Sequence, residues 1–216
     1  MGAMYVPEHF RESDPKLIED FIRAVGIGEL VSWNGSTLEA VTMPLLFEKD
    51  ADKKDDADNG SLVGHLARAN AQWRSLSKDR EVLVLFRGPN DYITPTWYPT
   101  KREHGEVVPT WNYASVQIRG VPIVHDDPEW TLGLVARLTT EHESTNPLPW
   151  AVSDAPKEFI ATQLRAIVGV EIQITQIDAK WKLSQNQPAQ NRAGVIAGLR
   201  EKGTDRSRDL AEFTEQ

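Results

Sequence analysis

Chemically expensive side chains crowd into Gly60–Trp73, GSLVGHLARANAQW, more densely than anywhere else in the chain. Ser61, Leu62, Val63 and Gly64 read as a short buried strand, and His65, Arg68 and Asn70 follow at spacings that point one way as the chain turns into a helix. A helix start offers free backbone N–H groups and a positive dipole end, so a His and an Arg beside it could cradle a phosphate or carboxylate. The same residues would also serve as an Arg paired with a surface acid and a His capping the turn. Residue types alone favour that plainer reading.

A second group is Tyr92–Tyr113, YITPTWYPTKREHGEVVPTWNY, with five aromatics and two Pro-Thr-Trp units around a charged loop. Flat side chains beside polar ones suit a planar heteroaromatic ligand, because stacking supplies affinity and polar groups set orientation. Trp and Tyr filling a barrel mouth or a subunit interface would look the same. A third group is Lys180–Asn186, KWKLSQN, where Ser184, Gln185 and Asn186 offer donors and acceptors and Lys182 a positive charge suited to a phosphate. An ordinary strand-to-helix loop is its alternative. His142 with Glu141 and Glu143 is spaced around a helix rather than along one face, which argues against a metal site. Nucleophile elbows, phosphate-binding Walker loops, zinc spacings and dinucleotide glycine fingerprints are missing from the sequence.

The elements that must position these groups follow from periodicity. Ser13-Asp14-Pro15 caps a helix carrying Leu17, Ile18, Phe21, Ile22 and Val25, which Gly26 and Gly28 end. Glu29–Trp33 and Thr37–Phe47 flank Asn34-Gly35, the signature of a tight two-residue hairpin turn. Glu81–Phe86 reads as a buried strand, Gly88–Asp91 as a turn, Tyr92–Trp97 as a further strand, and Trp111–Val124 as a long strand bent at Gly120. The two Pro-Thr-Trp units then lie on two arms of one hairpin. Asp127-Pro128 opens a helix to about His142, Pro156 opens another, Val168–Trp181 alternates as a half-buried strand, and Pro188–Leu199 is a last helix. Strands joined mostly as hairpins argue for a mainly β (α+β) chain, a partly open antiparallel barrel with flanking helices, and against a doubly wound parallel sheet.

A chain of 216 residues, 40% apolar and with seven tryptophans, can bury a real core. Met1-Gly2-Ala3 reads as a cloning scar, residues 4–200 as a single domain, and the polar residues 201–216 as a frayed tail. The net charge of −8 opposes direct binding to duplex DNA. Part of that charge lies in the run Glu48–Asp58, read as a solvated loop. With no cysteine, no basic leader and no apolar run of membrane-spanning length, the expectation is a cytoplasmic protein off the membrane.

Taken together, Met4-Tyr5-Val6-Pro7 with Phe10, GHLARANAQW, FRGPNDYITPTWY at Phe86–Tyr98, VPTWNY at Val108–Tyr113, LTTEHE at Leu138–Glu143 and KLSQN at Lys182–Asn186 resemble the PaiB family of FMN-binding, negative transcriptional regulators. The resemblance runs nearly end to end. It implies an antiparallel split β-barrel of the pyridoxamine-phosphate-oxidase and flavin-reductase type, a homodimer, and FMN as cofactor. It further implies that His65, Arg68 and Lys182 hold the FMN phosphate and that Tyr98 or Trp111 lies near the ring, with Asn70, Ser184, Gln185 and Asn186 completing the site. Where relatives tend to read Ala-Thr-His-Leu-Pro, this chain has Ala40-Val41-Thr42-Met43-Pro44, a hydroxyl in place of a ring. Two functions follow: a regulator acting through a protein partner or DNA, or an FMN-dependent oxidoreductase. A haem-handling relative of the same barrel is a third, since five histidines are available.

Overall fold

A computed structural model describes residues 4–49 and 59–215. In chain order the elements are β1 (Arg11–Glu12), α1 (Pro15–Val25), β2 (Ile27–Trp33), β3 (Leu38–Pro44), β4 (Leu46–Glu48), β5 (Ser61–Ala67), β6 (Val82–Ile93), β7 (Thr110–His125), α2 (Pro128–Glu143), α3 (Lys157–Leu164), β8 (Ile167–Lys182), α4 (Ala189–Lys202) and α5 (Asp205–Glu215). The strands form one eight-stranded sheet in the order β3-β2-β6-β7-β8-β5-β4, with β1 on β8. The antiparallel, hairpin-rich class expected from the sequence is the one observed.

Local chemistry explains the helix starts. Asp14 Oδ1 accepts from Lys16 N at 2.8 Å ahead of α1, and Asp127 Oδ1 accepts from Glu129 N at 2.9 Å ahead of α2. In each case Pro occupies the first helical position, where its missing N–H costs nothing.

Several expectations are corrected. The chain does not turn into a helix after Gly64: β5 continues through His65 to Ala67, paired with Ile167–Gln173 of β8, and only a 3-10 turn, Ala71–Arg74, follows. Cross-strand pairing with β8 holds the segment extended against its local propensity. Gly88–Asp91 is no turn either, but lies inside the twelve-residue β6. The following strand stops at Ile93, and Pro95–Trp97 is a 3-10 turn, so only the second Pro-Thr-Trp unit enters a strand, at Thr110–Trp111. The Asn34-Gly35 connection spans residues 34–37, because Asn34 Oδ1 accepts from Ser36 N and Thr37 N at 3.0 and 2.9 Å and widens the turn. Residues 205–215 are helical, with Leu210 and Ala211 fully buried, so this stretch is not a frayed tail. The expected scar at residues 1–3 and most of the acidic run lie outside the described residues.

The chain groups into two compact units, one of residues up to Phe21, Arg87–Val116 and Asp178 onward, the other of Ile22–Phe86 and Gln117–Ile177. In the second, Leu30, Met43, Leu45, Leu62, Ile118 and Ile172 are fully buried, and α2 lays Leu134 and Leu138 on Leu46 and Val63. Gly120 is needed there because a Cβ would stand 2.5 Å from the Gln173 carbonyl oxygen. In the first, Phe21, Trp181 and Phe213 pack ring to ring, with centroids 4.7 to 5.9 Å apart. Trp97 fills the space left by Gly194 and Gly198 of α4.

Candidate functional site

The predicted residues fall in both units. His65, Arg68 and Asn70 belong to the second, while Tyr98, Trp111, Lys182, Ser184, Gln185 and Asn186 belong to the first.

At the end of β5 most of the polar chemistry is consumed by the fold. The Arg68 guanidinium meets Asp126 with both terminal nitrogens, at 3.1 and 2.5 Å, and also donates to the Arg165 and Ile167 carbonyls. Hydrogen bonding to Arg68 holds the Asp126 carboxyl below its ordinary range. Asn70 caps the 3-10 turn by accepting from Gln72 N, and buried Gln72 reaches back to Ser32 Oγ at 3.0 Å. Trp73 donates from its indole nitrogen to the Arg68 carbonyl, and Arg74 lies over its ring, 4.8 Å from the centroid. His65 differs: its Nδ1 is buried without a partner among the described residues, and burial pushes its pKa down. It sits opposite Gly169, whose missing side chain is replaced by the Trp130 ring. Trp130 stacks in turn on His125, which meets Glu171 at 2.8 Å.

The first unit brings together pieces of three sequence motifs. Asn112 Nδ2 donates to Ser184 Oγ at 2.9 Å, and the Tyr98 hydroxyl shares a hydrogen bond with the same serine. All three side chains are buried, and desolvation raises the Tyr98 pKa against the lowering effect of Ser184. Ser184 has φ of 64°, and Gln185 bridges the bend by accepting from Leu183 N and donating to the Trp181 carbonyl. Asn186 is exposed. These motifs therefore build a polar knot that turns β8 toward α4, a role that donor types alone do not separate from ligand binding.

Outside that knot the strand faces are open. Trp111 and Tyr113 alternate on β7, and Lys180 and Lys182 on β8, each with its intervening residue turned inward. Lys182 Nζ donates to Thr110 Oγ1 and, at 2.6 Å, to the Trp111 carbonyl. Burial, and secondly the Lys180 charge, lower its pKa. Lys180 Nζ lies 5.6 and 5.5 Å from the Tyr5 and Tyr113 ring centroids. Tyr5, Tyr92 and Trp111 are 82%, 43% and 48% exposed, and Tyr92 meets Trp111 edge to face. Among the described residues no carboxylate pairs with Lys180 or Lys182. Sequence reasoning missed Lys180, Tyr5, Tyr113 and Asn112. The signal for Lys180 and Tyr113 was there in the two-residue alternation with Lys182 and Trp111.

Glu141 pairs with Arg23 at 3.4 Å, and Glu143 accepts from Asn146 Nδ2 and Trp150 N, so both acids organise loops and helices. Among the described residues no cluster of His, Cys, Asp or Glu could hold a metal ion, and no helix is long and apolar enough to cross a membrane.

A family model described as "Putative FMN-binding domain" matches residues 4–176. The "Protease synthase and sporulation protein PAI 2" of Bacillus subtilis is 32% identical over 213 residues, covering 98% of this chain and 97% of its own. An uncharacterized protein of Emericella nidulans is 31% identical over 243 residues, with 99% and 97% covered. Among solved structures, an FAD and heme binding protein from Mycobacterium smegmatis aligns with a TM-score of 0.57 at 13% identity, over 85% of this chain and 78% of that one. The flavocytochrome Anf3 from Azotobacter vinelandii aligns with a TM-score of 0.56 at 10% identity, over 82% and 72%. At such identities the likeness speaks for the fold, the split β-barrel.

Proposed function

The chain belongs to the PaiB family, and from that premise we propose that it is an FMN-binding split-barrel protein that acts as a negative regulator of transcription, with the flavin on the outward face of β7 and β8. The observation that carries this reading is the Lys182 ammonium. It is half-buried, held by neutral oxygens and without a carboxylate partner among the described residues. An ammonium so placed lacks an anionic partner, and the phosphate of FMN is the complement. The exposed Trp111 ring is the partner for the flavin ring, and stacking there would add to the phosphate contact. Tyr98, Ser184 and Gln185 frame the site by fixing the bend beside Lys182, and Asn186 lies on its rim.

This reading does not route the phosphate through Arg68, whose guanidinium already serves Asp126 and two carbonyls. His65 is assigned to packing within β5 and Asn70 to capping the turn that follows it. Bound FMN would supply a ring able to take up hydride or single electrons, while the protein binds and orients it. The regulatory role is assigned to a cytoplasmic homodimer working through a protein partner, because a net charge of −8 opposes duplex DNA.

The test is a titration of FMN followed by flavin fluorescence and the visible absorption band. Lys182→Gln should weaken binding at least about tenfold, the range of one charge-assisted phosphate contact. Flavin emission that stays unchanged on adding excess protein would remove the reading.

A further inference from the structure

The cationic and aromatic face of the first unit is longer than a flavin needs. Beyond Trp111 and Lys182 it continues through Lys180, whose ammonium is flanked by the Tyr5 and Tyr113 rings at 5.6 and 5.5 Å and donates to the Tyr5 carbonyl at 3.2 Å. Tyr92 extends it on the other side, its ring centroid 6.3 Å from that of Trp111. Two ammonium groups thus stand on alternate positions of one strand without a carboxylate partner among the described residues, in a chain whose acids outnumber its bases by eight. A polyanion is the ligand whose charges complement such a pair.

We infer that this face binds a single strand of nucleic acid, its phosphates on Lys180 and Lys182 and its bases against Tyr5, Tyr113, Trp111 and Tyr92. Alternate residues of a strand are roughly 7 Å apart, a repeat that successive phosphates of a stretched single strand can follow. Every base has a π-face, so open aromatic rings give sequence-tolerant affinity. Duplex DNA hides those faces in its stack and leaves only the charge contact. The inference extends the regulatory half of the proposed function. It uses Tyr5, Tyr113 and Lys180, which the FMN reading does not need.

Fluorescence anisotropy of a labelled 20-mer of thymidylate, titrated with the full chain at several salt concentrations and without FMN, tests it. With two lysines engaged, log K should fall with log salt at a slope of about −1.4, and Lys180→Gln should halve that to about −0.7. Tyr113→Ala should weaken the oligonucleotide about tenfold. Tyr113→Ala should keep wild-type FMN affinity, so failure of the strand reading and failure of the flavin reading show up separately. A duplex of the same length should bind more weakly than the single strand. Absence of a complex at low salt, equal binding of duplex, or indifference to Lys180→Gln would each overturn the inference. Dimers in sedimentation that Tyr113→Ala converts to monomers, with no oligonucleotide bound, would assign the face to a second copy instead.

Discussion

His65 carries a proton balance that can be read at the bench. Its Nδ1 is buried without a partner among the described residues, and desolvation holds the ring neutral in the folded state. The folded pKa lies below the unfolded one, so the unfolded chain binds more protons in the window between them, and stability falls as the pH drops from about 6.5. His65→Phe removes that titration, so the difference in urea midpoint between wild type and variant should stay constant above about pH 7 and shift in the variant's favour as the pH falls below about 6.5. Lys182 gives the opposite outlook. Its lowered pKa means the charged form is disfavoured in the free protein, while a bound phosphate would restore it. FMN affinity should therefore fall as the pH rises through the alkaline range below the ordinary lysine value, and the fall should be missing in Lys182→Gln. Of these two residues Lys182 is the easier to pick out in the sequence as a candidate, because a lysine in a polar KLSQN setting has few packing duties. For Arg68 the plainer reading, an Arg paired with a surface acid, holds in the structure, but its partner Asp126 is distant in sequence and nothing local names it.

At the scale of the element, glycine spacing explains what hydrophobic patterning could not. α4 lacks a continuous apolar stripe because part of its buried face is Gly194 and Gly198, pressed on Trp97. A Cβ at Gly198 would overlap the Trp97 ring, and overpacking of that kind costs about 1–3 kcal/mol. Gly198→Ala should thus lower the urea midpoint and shift tryptophan emission to the red. Gly133→Ala in α2 is the contrast. Its new methyl would meet only the Arg137 side chain, at 3.4 Å, and a helical Gly→Ala change without a clash stabilises by about 0.5–1 kcal/mol. The helix starts and most strands were readable from caps, prolines and alternation. β5 was not, because its extension to Ala67 is imposed by pairing with β8, and β6 was not, because Gly88-Pro89-Asn90-Asp91 has the composition of a turn yet lies within a strand. The buried knot of Tyr98, Asn112 and Ser184 joins segments far apart in sequence, and no local pattern predicts such a meeting.

On the scale of the molecule, composition misjudged the C-terminus for a physical reason. Only a narrow stripe of α5 is apolar, so the segment DRSRDLAEFTE averages out as polar, although Leu210 and Ala211 are fully buried and Phe213 meets Phe21 and Trp181 edge to face. The two ends of the chain therefore meet in one aromatic cluster with the end of β8, the strand that also carries Lys180 and Lys182. Leu210→Ala should cost about 2–5 kcal/mol, the usual range for emptying a fully buried leucine site, out of a total that for most domains is about 5–15 kcal/mol. A frayed tail would give no change in the same urea titration. The loss should also loosen Trp181, and with it the strand that presents the lysines. Leu210→Ala is then expected to weaken FMN near its unfolding midpoint while leaving affinity intact at low denaturant, where the stripe still docks. A uniform loss of affinity under native conditions would mean instead that α5 shapes the site directly.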